Sequence, residues 1–163
     1  MRVFIMGATG FIGGHLVRRL ATTRHELKCL VRDPRVAAAL EGPRVTLVAG
    51  DVTDRASVRK AMQGCGWVIH LANVYSFWER DRRTYAAVNV EGTRNVMECA
   101  LDVGASKVVH VSSCVIYGRP SDAPFTEDSP VGPVRFSEYA RTKYEGDRIA
   151  WELHEKRGLP LVT

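Results

Sequence analysis

The sequence predicts an α/β fold with a doubly wound parallel sheet, and two observations lead to this prediction. Short apolar segments that favour β-strands alternate with amphipathic helical segments along the chain of 163 residues, without internal repeats. The first apolar segment runs through a glycine-rich turn directly into a helix. This alternation is typical of parallel βαβ units with right-handed crossovers. We expect the strand order 3-2-1-4-5 with an incomplete sixth strand beyond the fifth, and a ligand across the carboxyl ends of strands 1 and 4.

The first strand and its glycine turn indicate a dinucleotide site. The strand ends at Met6, glycines follow at Gly7, Gly10 and Gly13, and a helix is predicted from about 11 to 23. Gly7 permits a tight turn, Gly10 lets the backbone approach a pyrophosphate, and Gly13 allows close packing of the helix on the strand. The alternative is an ordinary glycine-rich turn. The candidate cofactor contacts here are Gly7, Thr9, Gly10, Phe11, Ile12 and Gly13.

The ends of the next two strands bear on which dinucleotide fits. The second strand, ELKCLVRD, ends in Arg32 and Asp33. Arg32 suits the 2′-phosphate of NADP, unless it is a solvated loop residue, whereas Asp33 would permit NAD if the turn differs by one residue. After the third strand, RVTLVAGD, Asp51 can accept a hydrogen bond from adenine with Val52 against the ring. Equally, Asp51 can cap the following helix.

The fourth strand, GWVIHLAN, ends in small and apolar residues where a cofactor would cross the sheet. Leu71, Ala72 and Asn73 are therefore further candidate cofactor contacts. His70 lies inside the apolar strand, where a core histidine with satisfied hydrogen bonds is more common than a catalytic one. The predicted helices are a short one over 34–40, one that contains Val58, Ala61 and Met62 and that Thr53 or Asp54 can cap, and two long ones over about 80–103 and 136–157. The last two predicted strands lie in KVVHVSS and in LPLVT. A proline-rich loop is predicted over 118–135.

Charge and cysteine content narrow the class of protein. The formal net charge is +5, but Lys and Arg are spread along the chain, which argues against a nucleic-acid partner. No apolar run approaches about 18 residues, so we expect no membrane span. The four cysteines are far apart and lack zinc-ligand spacing, which indicates a reduced cytoplasmic protein without a structural metal.

A tyrosine and a lysine on the second long helix are the strongest catalytic candidates. Tyr139 and Lys143 are four residues apart and therefore share one helix face. A nearby ammonium lowers the pKa of a phenol, which suits general acid/base chemistry near neutral pH. The alternative is an exposed helical pair. Ser112 and Ser113 end the fifth strand on the ligand edge, where a hydroxyl can hold a substrate oxygen against the tyrosine.

Five ordered motifs carry a family resemblance: GATGFIG, HLAN, NVEGTRNV, VSSCVIYG and YARTK. The chain resembles the extended short-chain dehydrogenase/reductase superfamily of the NAD-dependent epimerase/dehydratase type, and this implies a Rossmann fold. By the resemblance, Ser113 is the catalytic serine, Tyr139 the acid/base, and Lys143 its activator and a ribose contact. Asn89 is then the cofactor-side asparagine.

Details favour some members over others. Sugar-nucleotide dehydratases carry an Asp-Glu pair where this chain has Cys114 and Val115, so dehydration is disfavoured. The stretches VRDP and ANVYSFW look more like dihydroflavonol reductases and 3β-hydroxysteroid dehydrogenases than like sugar epimerases. The aromatic residues Tyr75, Phe77 and Trp78 either line an apolar substrate pocket or pack a long loop.

The sequence therefore predicts an NADP-preferring reductase or dehydrogenase that acts on a carbonyl or alcohol. The alternatives are an NAD-dependent sugar-nucleotide epimerase and a non-catalytic dinucleotide sensor. Residues 1–163 are expected to form the NAD(P)-binding domain of a longer enzyme whose substrate-binding part follows. Relatives often dimerise through the two long helices, so a homodimer is plausible.

Overall fold

A computed structural model describes residues 1–76, 78–118, 124–132 and 135–163. Its six strands form one sheet in the order β3-β2-β1-β4-β5-β6, and all neighbouring pairs are parallel. The predicted doubly wound fold and strand order are confirmed. The strands are β1 Arg2–Met6, β2 Glu26–Val31, β3 Val45–Ala49, β4 Trp67–His70, β5 Lys107–His110 and β6 Leu161–Val162.

The helices agree with the predicted segments except in two places. They are α1 Phe11–Ala21, α2 Arg55–Met62, α3 Arg83–Tyr85, α4 Thr93–Asp102 and α5 Glu138–Arg157. The predicted long helix over 80–103 is interrupted by a π-helical segment, Ala86–Gly92. The predicted helix over 34–40 shortens to a 3₁₀ turn, Ala38–Leu40, and a second 3₁₀ turn, Cys114–Tyr117, follows the fifth strand.

The central strand β1 is buried on both faces because helices cover both sides of the sheet. Phe4 and Met6 pack into a cluster with residues of α2, α4 and α5, whereas Val3 and Ile5 pack with residues of α1 on the opposite face. Successive side chains of a strand point to opposite faces, which explains this division. A continuous apolar strand at the centre of a parallel sheet is the expected consequence.

Parallel register places the carboxyl ends of the central strands at one edge. Met6 of β1 pairs with Leu30 of β2 and with His70 of β4, and His70 pairs in turn with His110 of β5. The loops that leave these strands therefore meet at the same edge. At that edge Ser137 caps the amino end of α5, because its side chain accepts a hydrogen bond from the Ala140 amide.

Three of the four cysteines, Cys29, Cys65 and Cys99, are buried as free thiols, while Cys114 is exposed. Of the helices in the described ranges, none is long and apolar enough to cross a bilayer. The same ranges contain no cluster of His, Cys, Asp and Glu arranged to hold a metal ion. Phe77 and part of the proline-rich loop, including Pro120 and Pro133, lie outside the described residues.

Candidate active site

A cleft of about 820 Å³ opens at the carboxyl ends of β1 and β4. It lies at the switch point of the sheet, where open α/β folds bind ligands. The predicted cofactor contacts that line it are Gly7, Thr9, Gly10, Phe11, Ile12, Gly13, Arg32, Asp51, Val52, Leu71, Ala72, Asn73 and Tyr139. The sequence analysis did not single out several other residues of its wall, among them Val74, Thr84, Val88 and Val111.

The glycine turn is built by close backbone contacts that no other residue permits. Gly7 has a φ of +82°, and a Cβ there would lie 2.7 Å from the Ala72 amide nitrogen. A Cβ on Gly13 would lie 2.0 Å from the Gly7 carbonyl oxygen. Gly10 caps α1 without a side-chain hydrogen bond, and the first turn of α1 carries no acidic residue. The amino end of α1 is therefore open to an anion.

The edge beside β2 and β3 presents one unpaired guanidinium. Arg32 is exposed at the cleft, and its guanidinium makes no hydrogen bond or ion pair within the described parts of the chain. Asp33, in contrast, is held by Arg35 through side-chain hydrogen bonds of 3.0 and 2.9 Å. Asp51 lines the cleft and accepts from the Thr53 amide and hydroxyl, both at 2.9 Å. It does not cap α2; Asp54 does so.

Tyr139 stands at the opposite end of the cleft with its side chain 6% exposed. Its hydroxyl shares a hydrogen bond with Ser113, and its ring meets the Tyr75 ring edge-on at a centroid distance of 5.2 Å. Burial raises the pKa of Tyr139, and the hydrogen bond to Ser113 opposes this rise only in part. The expectation that Lys143 lowers the pKa of Tyr139 is wrong for this arrangement.

Lys143 lies behind the cleft wall. Its ammonium donates to the Val111 carbonyl oxygen at 2.7 Å, and the side chain is buried. Burial lowers the pKa of Lys143, because the charged form loses its hydration. Ser112 lines the cleft and has a buried hydroxyl without a partner among the described residues, whereas Ser113 accepts from the Val115 amide.

Asn89, which was predicted to contact the cofactor, does not line the cleft. It is buried in the π-helical segment, where its Oδ1 accepts from the Val74 amide at 2.7 Å. Its Nδ2 donates to the Thr142 hydroxyl at 3.1 Å and to the Val74 carbonyl at 3.3 Å. Asn89 thereby ties the loop after β4 to α5, and it holds Tyr75 near Tyr139.

The residues after β4 are otherwise fixed by their own hydrogen bonds. The Tyr85 hydroxyl donates to the Ser76 carbonyl at 3.0 Å, and the Ser76 hydroxyl donates to the Trp78 carbonyl at 2.6 Å. Tyr75 lines the cleft, whereas Trp78 is exposed outside it. His70 is a buried core residue as predicted, and its Nε2 lies 3.1 Å from the Thr93 hydroxyl. Its Nδ1 has no partner among the described residues, so its hydrogen bonds are only partly satisfied.

Comparisons with known proteins agree with this architecture. The chain matches the NAD dependent epimerase/dehydratase family over residues 3–163. It is 34% identical over 149 residues to a provisionally named dihydroflavonol 4-reductase of Synechocystis sp., which covers 90% of this chain and 43% of the relative. The 3 beta-hydroxysteroid dehydrogenase type 7 of Mus musculus is 34% identical over 173 residues, which covers 98% of this chain and 47% of that enzyme.

A solved structure of a related enzyme has the same fold. A double mutant of DesIV, a dTDP-glucose 4,6-dehydratase from Streptomyces venezuelae with NAD bound, is 30% identical with a TM-score of 0.88. The superposition covers 99% of this chain and 54% of that chain. The chain thus spans about half the length of the curated relatives it matches. The resemblance drawn from the five motifs is confirmed: the chain belongs to the NAD dependent epimerase/dehydratase family, within the extended short-chain dehydrogenase/reductases.

Proposed function

We propose that this chain forms the dinucleotide-binding part of an NADP-preferring oxidoreductase that reduces a carbonyl or oxidises an alcohol. The observation that carries the proposal is the continuity of one cleft, which runs from the glycine turn to Tyr139. A dinucleotide needs an anion site at a helix amino end and a reactive group at its nicotinamide end. Both lie along the same wall of the sheet.

The residues present fit a dinucleotide. Gly13 packs so closely on Gly7 that a side chain there would clash with the Gly7 carbonyl oxygen. No side chain caps the amino end of α1 with a hydrogen bond. Two buried polar atoms of the cleft, Asn73 Oδ1 and Ser112 Oγ, have no partner within the described residues and can take up a ligand's donors. When bound, the nicotinamide would supply or accept the hydride.

Arg32 supports a preference for NADP over NAD. A guanidinium pairs with phosphate through two parallel hydrogen bonds, and Arg32 has no competing partner in the described chain. An acidic residue would instead bind a ribose 2′-hydroxyl. Asp33 is the acidic candidate, but it is occupied by Arg35 and does not line the cleft.

The chemistry assigned to Tyr139 follows from its burial. A raised pKa keeps the phenol protonated at neutral pH, so Tyr139 can donate its proton to a carbonyl oxygen as that carbon receives hydride. The Ser113 hydroxyl, bonded to Tyr139, would hold the same oxygen. By the family resemblance, Lys143 would hold the ribose.

The substrate class follows from the wall next to Tyr139. Tyr75 covers one side of Tyr139 with an aromatic face, which favours an apolar group next to the reacting carbonyl. Cys114 and Val115 provide no carboxylate for elimination of water, which argues against dehydration. Two relatives carry the names of a reductase and a hydroxysteroid dehydrogenase, which agree with reduction or oxidation as the reaction type.

The proposal is tested by titrating the purified chain with NADPH and with NADH, followed by nicotinamide fluorescence. NADPH is expected to bind more tightly, and Tyr139→Phe is expected to bind it equally well. Where a carbonyl substrate is reduced, Tyr139→Phe should abolish turnover, because the proton donor is lost. Failure of both nucleotides to bind would refute the proposal.

A sugar-nucleotide epimerase is the second candidate, supported by the NAD held in the DesIV structure. An epimerase retains its NAD through oxidation and re-reduction of one carbon. Recovery of tightly bound NAD with the purified chain would therefore favour the epimerase over the NADP-dependent reductase. A non-catalytic sensor would be favoured if Tyr139→Phe left cellular function unchanged.

A further inference from the structure

Four ionisable side chains are buried together behind the cleft, and the proposed chemistry uses only one of them. His70 comes from β4, His110 from β5, and Lys143 and Asp147 from α5, and none is more than 5% exposed. Burying ionised groups is costly unless opposite charges compensate each other. The charges carried by these four side chains therefore have to compensate one another.

The two histidines do not supply a compensating positive charge. Burial lowers the pKa of His110, an effect that Asp147 opposes only in part, and burial lowers the pKa of His70 well below its ordinary value. The Lys143 ammonium acts in the same direction as burial on both. Their rings stack at a centroid distance of 5.4 Å. Both imidazoles therefore favour their neutral form, which leaves Lys143 and Asp147 as the residues of the cluster that can carry opposite charges.

Asp147 follows Lys143 by one helical turn, and residues at this spacing have Cβ atoms about 5–6 Å apart on the same face. Its Oδ1 lies 3.1 Å from Nε2 of His110, although the imidazole is not aligned for a good hydrogen bond. In the described ranges, no Arg or Lys nitrogen lies within ion-pair distance of the Asp147 carboxylate. The nearest cation along its helix face is Lys143.

A close approach of two helices keeps water from this face of α5. A Cβ on Gly146 would lie 2.5 Å from the Asn89 carbonyl oxygen, so α5 packs directly on the π-helical segment. The polar groups near this contact are neutral: the Asn89 amide of that segment and the Thr93 hydroxyl of α4. The carboxylate of the segment, Glu91, is exposed and pairs with Arg94. Interactions between charges are screened less in such surroundings than at the surface.

We propose that Asp147 is a positioning residue whose buried carboxylate is the counter-charge that keeps Lys143 protonated, with His110 Nε2 lying 3.1 Å from that carboxylate. The inference rests on the proposed function only for its consequence, because a charged Lys143 is what a bound ribose would need. The groups that face Lys143 are His70 from β4, His110 and the Val111 carbonyl from β5, and Asp147 and Tyr139 from its own helix. Burial lowers the pKa of Lys143 and the Asp147 carboxylate opposes this, so its removal is expected to lower the pKa further.

The experiment measures the protonation of Lys143 directly, without nucleotide or substrate. The 13Cε resonances of the lysines are followed against pH in the labelled chain, and Lys143→Arg identifies the resonance of Lys143. Asp147→Asn is expected to move the Lys143 midpoint down by about one pH unit or more, the effect of losing one nearby opposite charge. Glu145→Gln is the matched control, since it removes the same charge two residues away, from a half-buried pair with Arg141.

The outcomes separate clearly. A midpoint in Asp147→Asn that coincides with that of Glu145→Gln overturns the inference, whatever the nucleotide titrations give. Asp147→Glu is expected to restore most of the shift. If Asp147→Asn does not fold, the test is made on the wild-type chain. The chemical shift of the Asp147 carboxyl carbon must then show an inflection at the pH at which Lys143 titrates, and the absence of this inflection refutes the pairing. Failure to bind NADPH would refute the proposed function and leave this titration unaffected.

Discussion

Two adjacent glycines in the first turn of α1 provide a matched test of how the site is built. A Cβ on Gly13 would lie 2.0 Å from the Gly7 carbonyl oxygen and 2.8 Å from the Ala8 Cα. A Cβ on Gly14 would come no nearer than 3.6 Å to any atom, and that atom is in the flexible Arg18 side chain. The same substitution, Gly to Ala, therefore meets rigid backbone at one position and only ordinary van der Waals contacts at the next.

The magnitudes follow from this difference. Alanine is more favourable than glycine in a helix by up to about 1 kcal/mol, so Gly14→Ala is expected to stabilise the chain by that order. Gly13→Ala gains the same preference, but its Cβ falls about 1.4 Å short of the 3.4 Å at which ordinary contact begins. Overpacking of this kind costs about 1–3 kcal/mol or more, which gives net destabilisation.

Urea unfolding measures the free energy of unfolding of both variants, and calorimetry measures NADPH binding. Gly13→Ala should also lose most nucleotide affinity, because α1 must move away from β1 and carries its amino-end amides with it. Gly14→Ala should bind like the wild type. Equal stability and equal NADPH affinity in the two variants would refute the assignment of Gly13 as the packing contact.

Three further perturbations test other parts of the site. Arg32→Ala should weaken NADPH binding about 10-fold and leave NADH unchanged, whereas Arg35→Ala should change neither; a matching loss for NADH would contradict the phosphate role. Below about pH 6.5 the unfolded chain binds a proton on His70 that the folded chain excludes, so the free energy of unfolding of the wild type falls by up to about 1.4 kcal/mol per pH unit. His70→Gln should remove this part of the pH dependence, as measured by urea unfolding at several pH values. Asn89→Ala should speed hydrogen exchange at the Val74 amide, and unchanged protection would show that the loop is held elsewhere.

The sequence was sufficient for the fold and for the glycine end of the site. Hydrophobic periodicity distinguishes strands from helices, and glycines at 7, 10 and 13 have few uses other than a tight turn under a helix. Arg32 could be placed because β2 ends immediately before it, and the direction of a parallel strand fixes which edge its end faces. These features depend on residues close together in the chain.

The Tyr139 end could not be derived in the same way, because its properties depend on contacts between distant segments. Asn89 was expected at the cofactor, but it bonds to Val74 and Thr142, which are 15 and 53 residues away. The raised pKa of Tyr139 reflects how deeply α5 is buried, which no local spacing reveals. The π-helical segment is also invisible to periodicity, although such segments are common at functional sites.

The two ends of the cleft should therefore respond differently to pH. The glycine turn contributes backbone amides, which do not titrate, and Arg32 contributes a guanidinium. At the other end, burial lowers the pKa of Lys143 and the Asp147 carboxylate opposes this, while burial raises the pKa of Tyr139. Nucleotide affinity that comes from the glycine end should persist at alkaline pH, while contacts that need the Lys143 charge are lost. A wild-type chain that loses NADPH affinity in one step, together with the Lys143 titration, would show that the two ends do not bind independently.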